Sequence, residues 1–320
     1  MSDTIDLLAV GLTTLDIAVH PVERAVSVDE SVLVDSIRLS PAGTAGGTAM
    51  VAARLGLKVA IASAVGADAQ GAVVRAGLES AGIDTAQLQT VDGLPTATTV
   101  LPVRADGQRG LYHMLGASIL TPLTDGAVAR AARTRALHWG GVGYPGMAGQ
   151  GPGFLATAKA GGALVTCDLI APRPGALEEL AALLPHVDLF MPSLAEVRAL
   201  MGEAGVAVRH DDLATAAGHF MAMGAGGCVF KLGRDGAMVF TPDGTTHAKA
   251  FAIEPVDTTT CGDSFCAGFI TGQLNGLDDA ACLDLASAVA ARVAMGVGTL
   301  GALEGLTQTL DFARTAERLA

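Results

Sequence analysis

The segment DTTTCGDSFCAGFITGQLNG, residues 257–276, reads as a loop that empties into a helix. Phe265, Phe269 and Ile270 supply an apolar face, Gly268 and Gly272 lie one turn apart for close packing, and Asn275-Gly276 is a stop signal. The unpaired N–H groups of a first helical turn, with the positive end of the helix dipole, can hold developing phosphate charge. Thr260, Cys261 and Gly262 would form that cradle. Asp263 is then placed to accept a proton from an attacking hydroxyl as a phosphoryl group transfers, although Asp is also an ordinary helix cap. Cys261, at the same helix mouth, is a candidate for a lowered thiol pKa, with an inert small residue as the alternative.

Outward from this loop, short unbroken apolar runs recur at IDLLAVG (5–11), KVAIASAVG (58–66), RALHWGG (135–141), ALVTCDL (163–169), VDLFMP (187–192) and GCVFKLG (227–233). Each sits beside an Ala/Leu-rich stretch of helical length, which predicts an α/β fold with a mostly parallel sheet and helices on both faces. Ligands of such sheets bind beyond the carboxyl ends of the strands. Residues 17–42 and 94–116 break the rhythm with short β-favouring runs and turn residues such as Asp106-Gly107. They are expected to form a small β lid inserted into a single domain spanning residues 1–320.

Composition bounds the partners. In 320 residues, 20 Lys+Arg against 32 Asp+Glu give a net charge of −12, a poor field for gathering nucleic acid or anionic lipid. Charged residues interrupt the longest apolar stretches, and the amino terminus carries Asp3 and Asp6 where a secretory signal would have Lys or Arg. The five cysteines are odd in number and form no C-x-x-C pair, so free thiols and a cytoplasmic location are expected. No G-x-x-x-x-G-K-[ST] occurs, which leaves a P-loop kinase unsupported, and no H-E-x-x-H or paired Cys ligands point to a transition metal.

Residues 257–265, DTTTCGDSF, closely resemble the second signature of the ribokinase-like, or PfkB, carbohydrate kinase family. The resemblance implies that Asp263 is the catalytic base, that Thr260, Cys261 and Gly262 form the anion hole, and that Asp257 and Thr259 flank a monovalent-cation site, with K+ the candidate ion. Thr260 stands where the family has Gly or Ala. PAGTAGGTAMVAARLG (41–56) resembles the first signature, making Gly43, Gly46 and Gly47 the candidates for holding sugar hydroxyls; the family's usual Asn falls at Gly47. Asp16 corresponds to the early Asp that binds substrate hydroxyls just after the first strand.

VDLFMPSLAEVRALMG (187–202) is similar to the family's strand leading into an N-x-x-E helix, with Ser193 in the Asn position. Glu196 would help hold Mg2+ through water, and Ser193 with Glu196 is equally a capping box. FKLGRDGAMVF (230–240) looks like the strand-turn-strand that places Lys231 and Gly233 near ATP, and MGVGTLGALEGL (295–306) like the loop beside adenine, with Gly298 and Gly301 as candidates. The whole pattern implies a ribokinase-like kinase using ATP and Mg2+ on a hydroxymethyl group of a small sugar, on an eight-or-so-stranded core. Lid-to-lid homodimers are a further expectation. A nucleoside kinase, with Tyr112 and Trp139 as candidate stackers, and a non-catalytic carbohydrate-binding relative are the alternatives.

Overall fold

Alternation along IDLLAVG accounts for the main sheet. In the computed structural model, which describes residues 4–144, 147, 149–209 and 212–319, this run is strand β1 (Ile5–Gly11). Leu8 and Val10 enter the apolar core on one face, and Leu7 and Ala9 the core on the other, so positions 7–10 leave no place for a polar side chain, and Asp6 before them pairs with Arg135. Each such Leu removes enough surface from water to contribute roughly 1.5–3 kcal/mol. Part of the glycine-rich segment GGVGYPGMAG (140–149) lies outside the described residues, at 145, 146 and 148.

The remaining strands are β2 (Thr14–His20), β3 (Ser36–Ala42), β4 (Val59–Gly66), β5 (Asp84–Val91), β6 (Thr98–Pro102), β7 (Tyr112–Met114), β8 (Thr134–Gly140), β9 (Leu164–Cys167), β10 (Leu189–Phe190), β11 (Gly227–Lys231), β12 (Ala237–Thr241) and β13 (Gly244–Ala248). Nine of them make one sheet in the order β13-β12-β11-β10-β9-β8-β1-β4-β5. Its pairs are parallel from β11 through β5, and antiparallel only at β11–β12 and β12–β13. The turn expected in 230–240 is there, with Gly236 at φ +91°.

From β1 the chain moves to β4 and β5 on one side, then crosses to β8 on the other, which puts the topological switch between β1 and β8. Their last residues, Gly11 and Gly140, are register partners, and a Cβ on Gly11 would lie 2.6 Å from the Gly140 carbonyl carbon. The helix Gly43–Arg54 begins at this point, and Thr44 Oγ1 donates to the Gly140 carbonyl at 2.5 Å. The helix Cys261–Leu274 packs against it.

The other four strands form a second sheet, β3-β2-β6-β7. It starts at Thr14 rather than at residue 17, because Thr14 already pairs with Ala42. Register and period 2 give the sheet two distinct faces. One row runs Ser40, Asp16, Thr99, His113; the next, on the opposite face, runs Leu39, Ile17, Val100, Tyr112. Asp16 is therefore a strand residue of the small sheet, not a turn residue after β1, and it is 8% exposed. Tyr112, 73% exposed, lies on the apolar row away from Asp16, and Trp139 is wholly buried against Phe154. Neither ring is free to stack on a base beside Asp16.

Candidate active site

The helix mouth forms as its composition requires. Thr260 is the N-cap residue but makes no side-chain cap; its Oγ1 donates instead to the Thr299 carbonyl at 3.3 Å. The first backbone bond inside the helix is Ser264 N to Thr260 O, 2.9 Å, so the preceding N–H groups are not consumed by the helix itself. A Cβ added to Gly262 would meet only the Lys231 Nζ, at 3.6 Å, within 4 Å. Residues 260–262 thus make no N–H bond inside the helix, Cys261 N donates only to the Thr258 carbonyl at 3.5 Å, and the Lys231 ammonium lies behind Gly262.

Asp263 follows in the first turn. Its carboxyl is pushed up to about 7, chiefly by burial, then by the carboxylates of Asp168, Asp16 and Glu196, with the Lys231 ammonium pulling the other way. A carboxyl that titrates near neutrality can take a proton and release it again at physiological pH. Gly47 abuts it: a Cβ there would stand 2.9 Å from Asp263 Oδ2. The absence of a side chain at Gly47 thus leaves the carboxylate its present position. Gly43, at φ +87°, and Gly46 back onto Leu12 and Thr13, where a Cβ would approach the Leu12 carbonyl to 2.8 Å and the Thr13 methyl to 3.1 Å. These two glycines let the helix sit on the end of β1, and Gly46 and Gly47 are buried.

Asp16 faces the site from the small sheet. Thr14 Oγ1 donates to its Oδ1 at 2.9 Å, and burial holds its carboxyl above the usual range. Lys231, at the end of β11, donates to Asp168 Oδ2 at 2.5 Å, with Cys266 Sγ 3.3 Å from the same oxygen. Burial disfavours the ammonium, but Asp168, Cys266 and Glu196 outweigh it and hold Lys231 charged. Lys231 Nζ thus lies 3.6 Å from where a Cβ on Gly262 would stand, whereas Gly233 is an exposed turn residue at φ +64°. Asp168 lies within the run ALVTCDL (163–169), and its one signal is its place directly after a buried strand, at the ligand end of a parallel sheet.

Glu196 realises the capping box: Ser193 N donates to its Oε2 at 2.7 Å and Ser193 Oγ accepts from its N–H at 3.4 Å. It also shares the electrostatic environment of Asp168 and Lys231, and burial raises its pKa. The Asp257 carboxylate, 2% exposed, ties its loop together, accepting from Thr259 N at 2.9 Å, from Thr259 Oγ1 and from Gly298 N at 3.0 Å. Gly298 therefore belongs to the Asp257 loop, and Gly301 serves tight packing, since a Cβ there would overlap the Val293 carbonyl. The Cys261 thiol is pushed up to about 12 by burial and by Asp257, which favours the inert small residue over a lowered thiol pKa: desolvation outweighs the helix terminus.

The sequence matches the pfkB family carbohydrate kinase description over residues 4–304. It is similar to a nucleoside kinase of Methanothermobacter thermautotrophicus, 28% identical over 93% of this chain and 92% of that one. It is also similar to an ATP-dependent ribose-1-phosphate kinase of Halopiger xanaduensis, 27% identical over 98% of both. Among solved structures, an E. coli protein described as ribokinase II, in complex with ATP and Mg2+, superposes with a TM-score of 0.81 over 97% of this chain and 99% of that one, at 20% identity. The nine-stranded core with its small second sheet is thus the ribokinase-like fold, and this chain belongs to the pfkB family of carbohydrate kinases.

Proposed function

We propose that this chain transfers the γ-phosphoryl group of ATP to a hydroxymethyl group of a small sugar or related carbohydrate. The observation that carries the reading is Asp263 in the first turn of a helix without a side-chain cap, its carboxyl pushed up by burial, beside the part-buried Lys231. The acceptor hydroxyl loses its proton to Asp263, its oxygen bonds to phosphorus, and the bond to the ADP oxygen breaks. The N–H groups of residues 260–262 and the Lys231 charge stabilise the group in transfer. Asp16, with Thr99 beside it in the register, would hold and orient the acceptor's hydroxyls.

Mg2+ fits the donor set, since Glu196 and Asp168 supply carboxylate oxygen, the ligand type this ion prefers while keeping water. When bound, it would neutralise nucleotide phosphate charge. K+ is proposed beside Asp257 and Thr259, and the ATP contacts at Lys231, Gly233, Gly298 and Gly301; exchange of K+ for choline would then lower the rate. A second reading, nucleoside phosphorylation, is favoured by the Methanothermobacter relative, although Tyr112 and Trp139 cannot serve it. All five cysteines are free, which supports a cytoplasmic location, and among the described residues no helix is long and apolar enough to cross a membrane.

The apolar outer row of the small sheet, with Ile37 60% and Leu39 52% exposed, supports a homodimer formed lid to lid, which Ile37→Lys should split in sedimentation. The deciding experiment for the activity is phosphate transfer from ATP across a panel of sugars and nucleosides. Asp263→Asn should bind the accepted substrate and lose turnover; undiminished turnover in that variant overturns the mechanism.

A further inference from the structure

Arg109 is the basic residue of the small sheet's loop that reaches Thr258, in the loop leading into the helix mouth. The loop from β6 to β7 folds back at a tight turn, with Gly107 N donating to Arg104 O at 3.0 Å and Arg104 N to Gln108 O at 2.8 Å, and Arg109 pairs with Val103. The turn rests on the loop before the catalytic helix: a Cβ on Gly107 would stand 2.8 Å from the Pro255 carbonyl oxygen. Arg109 Nη1 donates to Thr258 Oγ1 at 3.0 Å, and its Nε is buried with no hydrogen-bond partner. The guanidinium charge acts on Asp16 in the small sheet and on Cys261 in the first turn of the helix. One cation thus spans the acceptor side and the anion-hole side, with a donor unspent. A neutral side chain would suffice to latch the loop to Thr258, whereas a planar, permanently charged donor matches a phosphoryl group gaining negative charge.

We propose that Arg109 is a catalytic residue supplied by the lid: it donates to the phosphoryl group in transfer and so makes transfer conditional on the lid lying against the 255–258 loop. It forms no covalent bond and exchanges no proton; the proton goes to Asp263 and the leaving electron pair to the ADP oxygen. This rests on the phosphoryl-transfer reading above.

The test uses the full chain with the acceptor the wild type accepts, comparing Arg109→Met, Arg109→Lys and Thr258→Val. Arg109→Met should lose about 100-fold in kcat, with the acceptor Kd from calorimetry and the KM for ATP within about threefold. Arg109→Lys should recover part of the loss, guanidinium chloride at low concentration should raise the rate of Arg109→Met but not of the wild type, and Thr258→Val should keep kcat within about threefold. A raised acceptor KM with unchanged kcat would overturn the proposal in favour of a reader of anionic groups on the acceptor. An equal loss in Thr258→Val would reduce Arg109 to a latch. Wild-type kcat in Arg109→Met defeats this inference alone, while a wild type that phosphorylates nothing defeats the reading beneath it as well.

Discussion

Asp263→Asn should make the protein more stable at alkaline pH while abolishing its turnover. The carboxyl moves from an ordinary 3.8 to about 7 on folding, because the fold buries it among Asp168, Asp16 and Glu196. Each pH unit of that displacement is worth about 1.4 kcal/mol, which gives about 4 kcal/mol of destabilisation once the group is ionised in both states. Water reaches the partly exposed side chain, and we take about 2 kcal/mol as what survives. The sign follows from proton binding. Between about pH 4 and pH 7 the folded state holds the proton that the unfolded state has lost, so wild-type stability falls relative to the Asn variant across that window and the gap stays constant above it. Urea denaturation of both proteins at several pH values from 4 to 8.5 measures the gap directly, as a difference in midpoint at constant slope. The same titration should appear in the wild-type rate as an acid limb near pH 7. If the two proteins run parallel from pH 4 to 8.5, the carboxylate is not held in a hostile field and the account of its basicity fails.

Gly47→Ala should lower turnover without lowering stability, because the new Cβ would stand 2.9 Å from Asp263 Oδ2 and must displace it, while Ala gains up to about 1 kcal/mol of helix propensity over Gly; kcat measured together with Tm separates the two effects. Lys231→Met leaves Asp168 buried without its cation and should cost about 3–5 kcal/mol in denaturant unfolding, a loss that Lys231→Met/Asp168→Leu largely restores. The Cys261 thiol should react with iodoacetamide at pH 8 far more slowly than free cysteine, since its pKa lies near 12; equal rates would contradict its burial.

Much of the architecture was legible because it is local. IDLLAVG is a strand over those same seven residues, since its central Leu7–Val10, without a polar residue, has no solvent-facing option in an α/β sheet. The helix after Cys261 ends at Leu274, with Asn275 as its cap and Gly276 at φ +74°, as the Asn-Gly stop predicts. VDLFMP gave a strand of only two residues, Leu189–Phe190, because Pro192 cannot donate to the ladder. At the site, the motif singled out Asp263 with residues 260–262, and the S-x-x-E pattern singled out Glu196; Asp168 is marked only by its place after a buried strand, and nothing near Arg109 in the chain marks it.

What the sequence by itself determined was therefore the order of strands and helices, the helix mouth and the acid within it, because hydrophobic period, stop residues and a contiguous motif are all properties of neighbours in the chain. The tertiary structure alone decided that Lys231 pairs with Asp168 across 63 positions, that Arg109 reaches Thr258 across 149, that Gly47 makes room for Asp263, and that Tyr112 faces outward. Those outcomes depend on which face of each strand meets which layer, a choice that a period of 2 leaves open until the whole sheet is assembled.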